Sequence, residues 1–269
     1  MKLKEWVDNN RSLFLRSDLN FLIKSLFNRE PWAVFLEGYF LVPKEIDCLE
    51  NIKKLYLKGL PLPFLIGREV FFGLTFSVSP YVFIPRQDTE VIIEKALELI
   101  NKKNLGMILD LGCGTSCIAV AIDKYTNKDL RIFASDVSWD ALRISRKNLR
   151  YHNSSVRLIN TDLFSGFKKN VFDLVVCNPP YVETTSIKGS LEYEPRTALE
   201  AGDDGLHFIK KILNQAHLYL RSGGYMIIEF GYNHKEPVYS LVQDLYLYEI
   251  VEWIKDYSSH TRGVILKRR

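Results

Sequence analysis

From Met107 onward, short apolar runs alternate with stretches of helical periodicity, and this alternation limits the possible folds more than any other feature of the chain. Met107–Leu111, Arg131–Ser135, Val156–Asn160, Phe172–Cys177 and Tyr225–Phe230 have the length and β-branched content of buried strands. Ser116–Lys124, Trp139–Tyr151 and Asp204–Leu220 read as helices. Strands that alternate with helices build a mainly parallel sheet covered on both faces. A helix at 236–245 and strands at Tyr248–Lys255 and Gly263–Lys267 follow. With no helix between them, these last strands are expected as an antiparallel hairpin at the sheet's edge. The fold class is therefore α/β.

Residues before this region read differently. The first 60 or so are helical in pattern. Ser17 or Asp18 is placed to cap a run holding Leu19, Leu22, Ile23 and Leu26, and Pro31 to open a helix with Trp32, Phe35 and Leu36. Ile46, Leu49, Ile52, Leu55 and Tyr56 share one face of a further helix, and Pro61 and Pro63 end this part. Val70–Val78 and Val82–Ile84 are β-branched and aromatic around Gly73, as in a hairpin or arm. Pro85-Arg-Gln-Asp-Thr-Glu90 leads into another helix, with Asp88 or Thr89 as its cap. The expected organisation is a helical domain at 1–62, a linker with a hairpin at 63–88 and the α/β domain at 89–269.

Bulk properties exclude several classes. No apolar run approaches the roughly 20 residues of a membrane span, and a cytoplasmic protein is expected. The net charge of +4 is mild. Through Pro85 there are 11 Lys and Arg against 9 Asp and Glu, so no basic arm for nucleic acid is present there. Cys48, Cys113, Cys117 and Cys177 include no Cys-x-x-Cys pair. A metal at Cys113 and Cys117 would block the glycine loop between them, so buried reduced thiols and no metal are expected.

That loop, Leu111-Gly112-Cys113-Gly114-Thr115-Ser116, joins a strand to a helix. Its glycines permit close backbone approach to a ligand. A dinucleotide fingerprint would need Gly at 117, where Cys117 stands, so a pyrophosphate reading is disfavoured. Asp110 begins the loop and Asp136 ends the next strand, where a carboxylate can accept from both hydroxyls of a ribose. The alternative for Asp136, capping the helix from Trp139, is a role Ser138 can fill. Asp162 follows the third strand and can accept from an adenine amino group, with Leu163 and Phe164 against the ring; an ordinary Asp turn is the alternative. After the fourth strand comes Asn178-Pro179-Pro180-Tyr181. This rigid turn can present one carboxamide and one bare carbonyl to a flat amide or amine.

Taken together, these motifs resemble the class I S-adenosylmethionine-dependent methyltransferases, and among them the release-factor glutamine methyltransferases of the HemK type. Pro61–Gly67, Phe72–Phe76, Phe83–Glu90, Glu194–Leu199, Gly202–Leu206 and Lys255–Tyr257 match that family's pattern in order and spacing, over about residues 60–265. The departures are Ser116 where a third glycine is usual, Gln87-Asp88 for Pro-Glu, and Phe64 for Tyr. A positive φ at 116 would tax serine. The resemblance implies a Rossmann-like methyltransferase sheet and a helical N-terminal domain that docks the substrate.

It also implies S-adenosylmethionine as cofactor, with S-adenosylhomocysteine as product. Asp110, Gly112, Cys113, Gly114, Thr115, Ser116, Asp136, Asp162, Leu163 and Asn178 would bind it. The implied reaction is N5-methylation of the glutamine in the Gly-Gly-Gln loop of peptide chain release factors. Asn178, Pro179, Pro180 and Tyr181 would hold the substrate, with Asn178, Pro179 and Tyr181 catalytic. An amide nitrogen is a poor nucleophile because its lone pair is delocalised. The Asn178 oxygen and the Pro179 carbonyl would each accept one N–H, Tyr181 would pack on the amide plane, and no general base is required. Glu194-Pro195-Arg196 would border the substrate or serve as a structural loop. The partner expected is a release factor, with a monomer, no membrane and no direct nucleic acid. A ribosomal-protein glutamine methyltransferase, an adenine N6 methyltransferase on nucleic acid and a non-catalytic binding module are the alternatives.

Overall fold

The structure, a computed structural model, describes the backbone of residues 1–269 and all side chains except those of Phe35 and Glu37. It divides into two compact units, Met1–Arg68 and Glu69–Arg269. The first holds helices α1 (Leu3–Asn10), α2 (Arg16–Phe27), α3 (Pro31–Glu37), α4 (Pro43–Tyr56) and α5 (Leu62–Ile66). Trp6, Leu22, Val34, Leu49 and Leu62 form its core. On α3, Trp32 and Leu36 are exposed, and Phe35 lies outside the described side chains. The capping expectation for α2 fails: its cap is Leu15, without a side-chain bond, and Asp18 accepts from the Tyr56 hydroxyl at 2.7 Å instead.

The second unit opens with the hairpin β1 (Arg68–Phe71) and β2 (Leu74–Ser77). So within the segment read as a linker, Leu65 and Ile66 of α5 pack against the first core while Phe71 and Phe76 are buried in the second. Next come α6 (Glu90–Lys103), β3 (Met107–Leu111), α7 (Cys117–Tyr125), β4 (Arg131–Asp136), α8 (Trp139–Tyr151), β5 (Arg157–Asn160) and β6 (Phe172–Cys177). The chain finishes with α9 (His207–Tyr219), β7 (Leu220–Glu229), α10 (Lys235–Leu245), β8 (Tyr248–Lys255) and β9 (Thr261–Arg268).

The sheet runs β5-β4-β3-β6-β7-β9-β8. The first five strands are parallel, while β9 is antiparallel to β7 and to the edge strand β8. This is the expected α/β sheet with its antiparallel pair at the edge. Apolar side chains from α6, α7 and α8 cover one face and those from α9 and α10 the other. No helix of the described residues is long and apolar enough to cross a membrane.

Two boundaries differ from expectation by three residues or more. Helix α9 starts at His207, because Asp204 is drawn into a turn that accepts from the Leu206 N–H at 3.0 Å. Strand β7 starts at Leu220, which pairs with Phe172 across an irregular step. The cap of α6 falls at one of the two residues expected for it. Thr89 occupies the cap position without a side-chain cap bond, and Asp88 pairs with Arg262 at 2.7 Å.

Candidate active site

The strand order reverses between β3, which continues to β4 and β5, and β6, which continues to β7. Ligands of open α/β sheets bind at such a reversal, beyond the carboxyl ends of the strands. Leu111 pairs with Cys177, so the glycine loop and the Asn178 turn leave neighbouring strands side by side. A cavity of about 590 Å³ opens there. Gly112–Thr115, Asp136, Asp162 and Leu163 line it on the side of the glycine loop and Asn178–Tyr181 on the side of the turn after β6.

At the loop end, Gly112 and Gly114 have φ of +73° and +52°, and a Cβ on either would meet nothing within 4 Å. The backbone is thus open in front, a cradle for a ligand. Asp136 accepts from the Gly114 N–H at its Oδ2 and from the Ser138 N–H at its Oδ1, both at 2.9 Å. Ser138 caps α8 by accepting from the Ala141 N–H, which leaves Asp136 out of that role. Burial raises the Asp136 pKa.

Asp110 and Ser116 do not line the cavity but stand behind the loop. Asp110 accepts from the Ala119 N–H at 3.1 Å, and its other oxygen is buried without a hydrogen-bond partner. Burial, the largest effect, lifts its pKa to about 7. Ser116 has φ +60°, the conformation the family's glycine would take without strain. Its hydroxyl donates to Ser145 at 2.9 Å, and Ser145 donates to the Gly114 carbonyl at 2.7 Å, so the side chain is tied into the loop. Leu163 lines the cavity, but Phe164 is fully buried and stacks on Tyr219 at 4.8 Å on the core side. The expectation that Phe164 meets an adenine is therefore wrong. The two residues lie in a turn, with Leu163 at φ +45°, which sends Phe164 into the core. Val137, 65% exposed, lines the cavity beside Asp136. An apolar residue directly after a strand-end acid was the available signal for it.

At the other end, Asn178 donates from Nδ2 to the Thr89 hydroxyl oxygen at 3.1 Å. That leaves the Asn178 Oδ1 as an acceptor. No hydrogen bond from within the described residues ends on the Pro179 carbonyl. The Tyr181 hydroxyl donates to Glu229 Oε1 at 3.2 Å. Burial pushes the Tyr181 pKa far up, so the phenol keeps its proton. Burial likewise lifts Glu229, at the end of β7, to about 7. His234 is buried edge-on to Tyr181 with both ring nitrogens unpartnered, and burial lowers its pKa. Gly205 makes room for this packing: at φ +67°, a Cβ there would stand 2.6 Å from the Tyr181 carbonyl oxygen and 2.7 Å from His234. Glu229 and His234 carry no motif that sequence reading recognises as part of a site, and Thr89 stands in the family-like segment Phe83–Glu90 with no role of its own expected.

The loop at 194–202 closes this end. The Val182 N–H donates to the Leu199 carbonyl and the Ala201 N–H to the Val182 carbonyl, and Pro195–Leu199 line the cavity. Glu194 itself turns inward, buried, where it accepts from the Ile84 N–H at 3.0 Å and pairs with Arg86. Arg86 in turn lies over the Phe83 ring at 4.9 Å. Glu194 is therefore structural, while Pro195–Leu199 border the cavity.

Cys113, Cys117 and Cys177 are buried thiols, with Cys117 lifted to about 12 by burial. Cys48 is exposed on α4, against expectation, because the apolar face of that helix runs through its neighbour Leu49. Among the described residues no group of His, Cys, Asp and Glu could hold a metal ion.

Residues 89–194 match the family described as the methyltransferase small domain. A release factor glutamine methyltransferase of Geobacter sulfurreducens is 37% identical over 202 residues, spanning 74% of this chain and 70% of that protein. One from Pasteurella multocida is 30% identical over 281 residues, spanning 97% of this chain and 93% of that protein. Among solved structures, a methyltransferase from Pyrococcus furiosus superposes with a TM-score of 0.52 at 19% identity, covering 84% of this chain and 98% of that one.

Proposed function

Because this chain belongs to the release factor glutamine methyltransferase family, we propose that it transfers a methyl group from S-adenosylmethionine to the side-chain amide nitrogen of a glutamine in a release factor. The observation that carries this reading is that one cavity joins the glycine loop to the Asn178–Tyr181 turn.

The residues present fit the cofactor. Asp136 would take its ribose hydroxyls and Asp162 its adenine amino group, with Val137 and Leu163 flanking the ring. The open cradle at Gly112 and Gly114 leaves room for close approach, and Cys113 and Thr115 complete that wall. Asp110 and Ser116 act from behind the loop, where Asp110 holds the Ala119 N–H and Ser116 braces the Gly114 carbonyl through Ser145. When bound, S-adenosylmethionine supplies an electrophilic methyl group on sulfur.

The chain's own work is on the acceptor. Asn178 Oδ1 and the Pro179 carbonyl each accept one N–H of the substrate amide, which fixes its nitrogen in place. Pro179 and Pro180 hold these acceptors in position beforehand, so little ordering remains to be done when substrate arrives. Tyr181 packs on the amide plane and excludes water. A methylated amide cation is strongly acidic and gives up its proton readily, so no side chain need act as base. The glutamine of a Gly-Gly-Gln loop is the acceptor we propose, and the helical first unit is the part we assign to docking the release factor.

The test uses methyl-labelled S-adenosylmethionine with a purified release factor and with its Gln→Ala variant at that loop. Label on the first and none on the second is expected. Equal labelling of both would sink the proposal.

A further inference from the structure

We infer that the segment 84–90 is a strap that positions Asn178, and that Glu194 and Arg262 are the positioning residues that pin it, at Arg86 and at Asp88. This rests on the glutamine-amide reading above and concerns residues to which that reading gives no part.

Thr89 is where the strap meets the acceptor side. It is 2% exposed, and its hydroxyl oxygen accepts from the Asn178 amine at 3.1 Å. With its amine engaged, Asn178 keeps Oδ1 for a substrate N–H. The place of that oxygen thus follows the place of the Thr89 hydroxyl. Thr89 itself lies in a stretch with little structure of its own. Between Val82 and α6 there is one regular turn, Gln87–Thr89, in which the Thr89 N–H donates to the Arg86 carbonyl at 3.0 Å. Such a stretch keeps one position only where other groups hold it.

Two charged side chains from distant parts of the chain do so. From the loop after the Asn178 turn, buried Glu194 accepts from the Ile84 N–H at 3.0 Å and pairs with the Arg86 guanidinium. Arg86 is the residue whose carbonyl receives the Thr89 N–H. From the start of β9, Arg262 pairs with Asp88 at 2.7 Å, one residue before Thr89. Arg262 is aimed by Asp256, which accepts from its Nε at 2.8 Å and from the N–H groups of Ser258 and His260, each at 2.9 Å. Beyond Thr89 the strap runs into α6, whose first residue, Glu90, accepts from the Phe72 N–H at 2.8 Å. Releasing either pin leaves Thr89 on the chain but lets its hydroxyl shift, and hydrogen bonds weaken steeply once misaligned.

The experiment compares Glu194→Gln, Asp88→Asn and Asp88→Glu with the full-length wild type, alone and in a Thr89→Val background, using release factor and S-adenosylmethionine. Asp88, its side chain 46% exposed, is changed rather than Arg262, whose loss would also strand the buried Asp256. Thr89→Val removes the acceptor for the Asn178 amine and is expected to lower kcat about tenfold, with KM and cofactor affinity within about twofold. Glu194→Gln and Asp88→Asn each release one pin and are expected to lower kcat by about 3–10-fold. Asp88→Glu keeps the charge and is expected to stay within about twofold. Because both pins act through Thr89, each is expected to cost no more than about a further twofold in the Thr89→Val background. Ion pairs that only stabilised the fold would cost the same in either background. Wild-type kcat in both Glu194→Gln and Asp88→Asn, full additivity with Thr89→Val, an equal fall in Asp88→Glu, or a fall matched by the unfolded fraction at the assay temperature would each overturn the inference.

A second readout needs no turnover. In a nitrogen–proton correlation spectrum, the Asn178 amine signals, identified by their loss in Asn178→Ala, should exchange slowly in wild type and Asp88→Glu and faster in Glu194→Gln, Asp88→Asn and Thr89→Val. Equal exchange in all five overturns the inference. A wild type with no activity on release factor would instead remove the function proposed above, with the exchange rates still deciding the role of the strap.

Discussion

At the ends of β3 and β4, main-chain N–H groups of Gly114 and Ser138 hold the Asp136 carboxylate. At the ends of β6 and β7, the groups we propose to face the acceptor are held by other side chains: Asn178 by Thr89 and Tyr181 by Glu229. The first arrangement is written in the backbone of a strand–loop–helix unit, close in sequence. The second joins residues 89 and 48 positions apart. A main-chain donor survives almost any substitution, whereas a side-chain donor is lost with one. The cofactor end should therefore tolerate sequence drift, and the acceptor end should depend on a few distant identities. Each end also carries one buried carboxyl lifted to about 7, Asp110 in the first and Glu229 in the second.

The largest effect should come from Asn178→Ala, which deletes the acceptor we propose for the reacting amide. Turnover should fall by about 100-fold or more, with cofactor affinity within about twofold. Kinetics with release factor alongside calorimetric titration of S-adenosylmethionine measure both, and near-normal turnover would break the acceptor argument. Asp136→Ala should do the reverse, weakening cofactor affinity by about 10–100-fold through the loss of hydrogen bonds to a charged group. If it spared affinity and cut only kcat, the division between the two ends would fail.

The buried carboxyls give a test by pH. Both are raised above their unfolded values of 3.8 and 4.5, so each favours the folded state while protonated. That stability is fully present below the unfolded value and is lost as pH rises through about 7. Around Glu229, Arg262 opposes the shift and Asp88 adds to it. Thermal unfolding without cofactor should show wild type losing stability relative to Glu229→Gln between about pH 4.5 and 7, by a few kcal/mol. Asp110→Asn should remove a similar share. Parallel curves for wild type and both variants would refute the assignment.

The smallest effect expected is that of Ser116→Gly. Glycine relieves a positive φ that costs serine roughly 1 kcal/mol, but it also gives up the bond to Ser145, worth about as much. Denaturant unfolding should place the two proteins within about 1 kcal/mol. A large loss in the variant would make the Ser116–Ser145–Gly114 chain a main support of the loop.

This contrast also explains what the sequence made legible. Periodicity is local, so the strands at 107–111, 172–177 and 248–255 and the helix at 139–151 stand where the pattern placed them. The loop glycines and Asp136 declare themselves by position at a strand end. Thr89 does not. Its composition suggests a helix cap, and only folding brings Asn178 within 3.1 Å to claim its side chain. Asp18 was misread for the same reason, since Tyr56 lies far along the chain. Glu229 looked like the end of an apolar strand. Its meaning comes from what crosses above it.

The most direct test of the whole account locates the transferred methyl group. Release factor is incubated with the wild-type chain and S-adenosylmethionine, then fragmented and read by tandem mass spectrometry. The account predicts one methyl group on a glutamine side chain of the Gly-Gly-Gln loop, and almost none when Asn178→Ala is used. A methyl group on any other residue, or equal modification by Asn178→Ala, would contradict it.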